Sequence, residues 1–170
     1  MKKTCISIAL ILIIALSAVM LAGKDGGNER YLRIHIRADS NDARDQSIKM
    51  QVKEIVVEYL TETVLKSRSK EELVKNIENE IPAINGLIDG FLAKNGFDYK
   101  ASTRINEEYF PLRVYGDTTL DEGYYDAVII ELGSGKGDNW WCVVYPPLCF
   151  TDQKNVRYRS LIYEYVKKYF

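Results

Sequence analysis

The sequence predicts one α+β domain that follows an N-terminal signal or anchor helix. Three observations predict this class: an apolar run after two lysines, a strand pattern followed by two long helical patterns, and a second half rich in short strands. Helices and strands that are segregated along the chain are typical of α+β proteins. A chain of 170 residues is long enough to build one hydrophobic core. The expected order is an N-terminal strand, two long helices, antiparallel strands and a C-terminal helix.

Residues 1–23 are the predicted signal peptide or membrane anchor. Two lysines precede an apolar run over residues 5–22, which is the arrangement of a secretory signal. The run is long for a signal core and near the lower limit for crossing a bilayer. Cleavage and retention as a membrane tether therefore both remain open. In either case we expect residues 24–30 to be a linker and residues 31–170 to form a single extracytoplasmic domain.

Strict alternation over residues 31–37 predicts a half-buried strand. Its apolar residues share one face and its polar residues share the other. The first set is Leu32, Ile34 and Ile36, and the second set is Arg33, His35 and Arg37. Asp39 and Asp42 follow and can supply N-cap oxygens. Apolar residues at helical spacing then predict a helix over about residues 41–66.

A second long helix begins at a capping box made by Ser69 and Glu72. Its apolar stripe continues to Phe91 and contains Pro82, where we expect the helix to kink or restart. Asn95-Gly96 is a typical helix end.

The remaining pattern is mostly strand. Strands are predicted over residues 97–105, 125–132 and 140–145, with a turn-bearing segment over residues 109–115. Two consecutive prolines must end the last strand. Helical spacing returns over residues 156–170 and predicts the C-terminal helix.

Bulk charge and motif spacing exclude several classes of function. The formal net charge of −1 gives no global field that would attract nucleic acid. The glycine-rich residues 133–137 lack the spacing of a phosphate-binding loop and predict a hairpin turn with positive φ angles. His35 is the one histidine of the chain, so it cannot build a catalytic triad or a His-rich metal site. We expect it to be an exposed strand residue.

The carboxylates do not single out an active site. Asp39, Asp42 and Asp45 suggest a calcium loop, but alanine stands at position 43 where a ligand is expected, and helix capping explains the first two more simply. The pairs Glu107-Glu108 and Asp121-Glu122 are interpreted as loop charges. The sequence thus predicts no enzyme, cofactor or metal. An extracytoplasmic hydrolase acting on peptidoglycan or peptide remains the alternative, and a structural envelope protein is a third option.

Cys142 and Cys149 form an even pair in a compartment where disulfides persist. A bridge would contribute roughly 2–3 kcal/mol in the chain-entropy model. The other interpretation is two buried free thiols. Six residues separate the cysteines, which argues against a redox pair of the Cys-x-x-Cys type.

Trp140 and Trp141 are adjacent on a predicted strand, so their side chains lie on opposite faces. One indole then enters the core, and the other faces out or packs under the helices. A solvent-facing tryptophan beside a rigid Pro-Pro loop would be a protein-binding hot spot, whereas both indoles could also be covered. The predicted partner-binding residues are Trp140, Trp141, Tyr145, Pro146, Pro147 and Leu148.

The most specific segment, Asn139-Trp-Trp-Cys-Val-Val-Tyr-Pro-Pro-Leu-Cys149, resembles the signature of the stage II sporulation protein R family of endospore-forming bacteria. Three further stretches are similar to that family: Tyr109-Phe-Pro with Tyr115-Gly116, Gly123-Tyr-Tyr-Asp-Ala127, and the strand and helix start over residues 32–45. Two stretches depart from it. Residues 38–41 read Ala-Asp-Ser-Asn in place of Ala-Asn-Ser-Asp, and residues 112–114 read Leu-Arg-Val in place of Thr-Lys-Thr.

The resemblance implies a signalling protein and not an enzyme. Members of the family are made in the forespore and exported into the space between the two septal membranes. There they trigger a membrane-embedded aspartic protease of the mother cell, which removes the pro-sequence of the early mother-cell sigma factor. The family offers no catalytic residues to carry over.

Overall fold

The computed structural model describes residues 28–150 and shows a four-stranded sheet with two long helices packed on one face. The elements in chain order are β1 (Leu32–Arg37), α1 (Ala43–Lys66), α2 (Lys70–Lys94), β2 (Ala101–Phe110), β3 (Arg113–Tyr115), β4 (Thr118–Leu120), β5 (Gly123–Leu132) and β6 (Asn139–Tyr145). The mixture of helices and strands agrees with the predicted α+β class. The signal or anchor segment, residues 24–27 of the predicted linker and the predicted C-terminal helix lie outside the described residues.

The sheet is mixed and not purely antiparallel. Its strand order is β2-β5-β1-β6. β1 pairs with β6 antiparallel and with β5 parallel, and β2 pairs with β5 antiparallel. β3 and β4 form a separate two-stranded hairpin. A parallel pair needs a crossover connection, and between β1 and β5 the chain passes through both helices, β2 and the hairpin.

The prediction of a half-buried first strand is wrong, because β1 is an inner strand with both faces covered. Leu32, Ile34 and Ile36 face the helices and are fully buried. On the other face, Arg33 is 0% exposed and His35 is 3% exposed. The expectation of an exposed histidine is therefore wrong as well. Alternation shows which residues share a face, but it does not reveal that a second layer covers the polar face.

α1 begins and ends within two residues of its predicted bounds, but its N-cap differs from the prediction. The Asp42 side chain makes no capping hydrogen bond. Asp39 instead accepts a hydrogen bond from the backbone N–H of Ser134, at 2.5 Å. Asp45 lies in the first turn, where negative charge is favourable, and it accepts a hydrogen bond from the Ser40 hydroxyl.

α2 confirms the predicted helix end and the Ser69 half of the predicted capping box, whereas the reciprocal bond to Glu72 comes from Arg68 and not from Ser69. The Ser69 hydroxyl accepts a hydrogen bond from the Glu72 N–H, and the Glu72 carboxylate accepts one from the Arg68 N–H. The helix does not restart at Pro82, which lies inside one continuous helix on its exposed side. Gly96 follows the C-cap with φ of +77°, the conformation that glycine adopts readily.

The middle strands differ most from their predicted bounds. β2 begins four residues later and continues through Glu107 and Glu108, which were interpreted as loop charges. Glu108 can lie in a strand because Arg37 of β1 pairs with it across the sheet. The core on the helix side of the sheet combines residues of β1, β5, β6 and both helices, including Trp140 and Cys142.

Candidate functional site

The glycine-rich turn over residues 133–137 leads into β6 and has the predicted positive φ angles, but the prediction of a hairpin is wrong. β5 and β6 lie on opposite sides of β1 and do not pair with each other. Gly133 and Gly135 have φ angles of +58° and +63°. A side-chain carbon on Gly137 would lie 2.2 Å from the backbone oxygen of Ser40, so only glycine fits this close approach. The Gly137 N–H donates to the Ala38 oxygen at 2.8 Å. This turn is thus attached to the segment between β1 and α1.

Trp140 lies on the helix side of the sheet and is 8% exposed. The ammonium group of Lys53 lies 5.9 Å from the centre of its ring. Its environment is that of a core residue, and its large apolar surface holds β6 against α1.

Trp141 lies on the opposite face of β6 and is half-buried. Its ring centre is 5.5 Å from that of His35, and the Arg113 guanidinium lies 4.4 Å from the ring centre. The indole N–H is buried and has no hydrogen-bond partner among the described residues. The two indoles therefore divide as the sequence predicts, with one in the core and one on the other face.

The segment after β6 is closed by a disulfide between Cys142 and Cys149, whose Cα atoms are 6.4 Å apart. The Leu148 N–H donates to the Pro146 oxygen at 2.7 Å. Tyr145 and Leu148 pack against the core and are half-buried, while Pro146 is exposed. We call residues 145–148 the Pro-Pro loop. Pro146, which lies in this loop, is the most exposed of the predicted contact residues.

A network of charges lies beside Trp141 on the same face of the sheet. The Glu108 carboxylate lies 2.9 Å from His35 Nδ1 and also pairs with Arg37. Arg37 donates to Glu131 at 2.5 Å, and Glu131 accepts from Arg104 at 2.6 Å. Sequence reasoning missed this network. The one indication of it in the sequence is the alternation of β1, which places His35 and Arg37 on the same face. Because that face is covered, the buried polar side chains need anionic partners.

Burial and charge shift the pKa values within this network. Burial lowers the pKa of His35 to about 4, and the cationic side chains of Arg37 and Arg104 act in the same direction. The Asn139 side chain and the negative charge of Glu131 oppose this lowering of the His35 pKa. The hydrogen bond from Arg104 lowers the pKa of Glu131. His35 is therefore neutral at neutral pH.

Arg33 is a fully buried cation on this face of the sheet. Its guanidinium lies 4.0 Å from the ring centre of Phe110 and 4.8 Å from that of Tyr125. It donates to the Tyr115 hydroxyl at 2.8 Å, while Nε and Nη1 have no hydrogen-bond partner among the described residues. Burial lowers the pKa of Arg33. The surrounding rings supply cation–π contacts in place of a carboxylate.

Residues 28–155 match the profile of the family described as stage II sporulation protein R, a span that includes every strand and helix given above. The chain belongs to the stage II sporulation protein R family. It is 33% identical over 166 residues to stage II sporulation protein R of Bacillus subtilis (strain 168), covering 91% of this chain and 74% of that relative. No solved structure matches the chain.

This member of the stage II sporulation protein R family does not bring its candidate carboxylates together. Asp39 binds the glycine turn, and Asp45 accepts hydrogen bonds from Ser40 and Tyr99. Glu122 accepts a hydrogen bond from the Tyr109 hydroxyl. Within residues 28–150, no group of three or more His, Cys, Asp or Glu side chains could hold a metal ion. Neither helix in that range combines the length and apolarity needed to cross a bilayer.

Proposed function

We propose that this chain is a secreted signalling protein of endospore formation that activates a membrane-embedded aspartic protease of the mother cell. The protease in turn processes the inactive precursor of the early mother-cell sigma factor. Membership of the stage II sporulation protein R family, over residues 28–155, is the observation that carries the proposal.

Export to the space between forespore and mother cell is part of the proposal. The two lysines and the apolar run over residues 5–22 support it, because they have the arrangement of a secretory signal. The bridge between Cys142 and Cys149 also supports it, since such bonds persist in oxidising compartments. The N-terminal segment is either removed or retained as a membrane tether.

Activation by binding has a simple energetic requirement. The chain must bind the active state of the protease more tightly than the inactive state, because only a difference in affinity shifts an equilibrium. Each tenfold shift in population requires about 1.4 kcal/mol of differential binding. A rigid contact surface favours this role, because little conformational freedom is lost on binding.

The proposed contact region is the Pro-Pro loop together with Trp141. The disulfide and the packing of Tyr145 and Leu148 hold the loop against the core. Trp141 is half-buried, so part of its ring can reach a partner. Trp140, which is 8% exposed, contributes by holding β6 in place.

The experiment is reconstitution in a host that does not sporulate. The full chain, the protease and the sigma-factor precursor are expressed together, and conversion of the precursor is followed by immunoblot. We expect conversion only when all three proteins are present. Equal conversion with and without this chain would contradict the proposed function. Conversion of the precursor by this chain without the protease would instead favour the hydrolase alternative.

A further inference from the structure

A pair of exposed tyrosines lies away from the Trp-Trp and Pro-Pro segments of the sequence. Tyr109 of β2 and Tyr124 of β5 are cross-strand partners whose ring centres are 5.6 Å apart. They are 49% and 62% exposed. β2 is an edge strand of the sheet, so a partner can approach the pair from the side without displacing another described strand.

Acidic side chains surround this tyrosine pair. Two positions further along both strands, and on the same face of the sheet, Glu107 lies opposite Asp126. The Glu122 carboxylate accepts a hydrogen bond from the Tyr109 hydroxyl at 2.9 Å. All three carboxylates are exposed. Lys70 pairs with Asp126 at 2.5 Å, whereas Glu107 and Glu122 form no ion pair with another residue of the described range. The rim therefore keeps uncompensated negative charge around two aromatic rings.

The tyrosine pair and the Pro-Pro loop lie at the same end of the sheet. Successive cross-strand partners lead from Glu107 to Asp126, then to Leu32 and then to Tyr145. Three strand spacings of about 4.8 Å separate the two outer strands, or roughly 14 Å. A single protein partner can span that distance and contact both features.

We propose that Tyr109, Tyr124 and their acidic rim form a docking surface for a segment of the partner that carries Lys or Arg beside apolar side chains. The inference rests on the proposed function and extends its contact region. Cationic side chains can stack on the tyrosine rings and pair with Glu107 and Glu122 at once. Aromatic side chains are enriched at the energetic centres of interfaces. The same negative rim would repel an anionic membrane surface.

The test is the precursor-conversion assay with the full exported chain at limiting expression. The pair variant carries Tyr109→Thr and Tyr124→Thr, because threonine keeps strand propensity while removing both rings. Tyr59→Thr is the matched control, since Tyr59 is an exposed tyrosine on α1, 38% exposed. We expect at least a tenfold loss of conversion in the pair variant and none in the control, with equal secreted amounts and melting temperatures.

A charge-reversal variant tests the electrostatic half of the inference. Glu107→Lys with Glu122→Lys should reduce binding to membrane vesicles that contain the protease. The same charge change made at Glu58 and Glu78, which are exposed on the helices, should not. Binding of the wild-type chain should also weaken as salt is raised.

Three outcomes separate the possibilities. If the wild-type chain fails to cause conversion, the proposed function is contradicted. If the wild-type chain and the pair variant cause equal conversion, only the docking surface is overturned. If the wild-type chain forms a dimer that the pair variant abolishes, the surface belongs to a second copy of this chain, and the inference is again overturned.

Discussion

His35 is buried in the structure, although the sequence predicts an exposed strand residue. In the sequence it is a lone histidine on the polar face of a strand. In the structure it is 3% exposed, lies beside Trp141 and contacts Glu108. Its lowered pKa makes it a neutral member of a buried network. Its Nδ1 atom lies 2.9 Å from the Glu108 carboxylate, which also pairs with Arg37.

The lowered pKa of His35 predicts how stability depends on pH. Its pKa falls from 6.5 in the unfolded chain to about 4 in the folded one, so the folded state favours the neutral ring. The resulting stability is fully present above pH 6.5 and is lost as pH falls towards 4. The lowered pKa of Glu131 adds a loss in the same direction, which begins at lower pH.

We therefore expect the free energy of unfolding to decrease by on the order of 2 kcal/mol between pH 7 and pH 4.5. Urea denaturation at several pH values measures it. His35→Gln should remove most of the decrease between pH 6.5 and 5, since glutamine does not titrate. An unchanged pH profile in that variant would show that other groups cause the decrease.

We expect substitution of Trp140 to affect mainly stability and substitution of Trp141 to affect mainly precursor conversion. Trp140→Ala opens a cavity in the core and should lower the free energy of unfolding by about 3–5 kcal/mol. Trp141→Ala removes a half-buried ring and should cost less stability while reducing precursor conversion at equal amounts of folded, exported protein. Urea denaturation and the conversion assay separate the two effects. Full conversion by a folded Trp141→Ala protein would remove Trp141 from the contact region.

At the scale of elements, the disulfide and the Pro-Pro loop act as one unit. The bridge joins the middle of β6 to the end of the loop, across a sequence separation of 7. Replacing Cys142 and Cys149 by serine should lower the free energy of unfolding by roughly 2–3 kcal/mol. Adding dithiothreitol to the wild-type chain should have a similar effect on its urea denaturation curve. A stability that neither treatment changes would contradict a structural role for the bridge.

The helices could be predicted well because local interactions determine them. The capping box at Ser69 and Glu72 and the Asn95-Gly96 end are each encoded within a few residues. The N-cap of α1 could not be predicted, because Asp39 binds Ser134, which lies 95 positions away. The same reason applies to β2. Glu108 is half-buried in β2 and pairs with Arg37, which lies 71 positions away in the chain.

The candidate site was predicted in part. The division of Trp140 and Trp141 between two faces follows from the periodicity of a strand. The tyrosine pair could not be found in this way, because the facing of Tyr109 and Tyr124 depends on the register of β2 against β5. The covered second face of β1 was missed for a similar reason. It depends on aromatic side chains contributed by three other strands, Phe110, Tyr125 and Trp141.

For the whole molecule, the described sheet has a network of ion pairs around the buried His35 and one end at which exposed aromatic and proline residues lie. The Pro-Pro loop and the tyrosine pair both lie at that end. The disulfide holds the Pro-Pro loop, and the antiparallel pairing of β2 with β5 holds the tyrosine pair. This arrangement fits the proposed role as a ligand of a membrane protease, because the proposed contact residues are held in place before binding.

The export requirement of the reconstituted system tests the central claim most directly. Precursor conversion is compared between the full chain and a chain without residues 1–23, each expressed with the protease and the precursor in a non-sporulating host. We predict conversion with the full chain and none with the shortened chain, which stays on the cytoplasmic side of the membrane. Equal conversion by both chains would contradict an activator that acts from outside the cytoplasm.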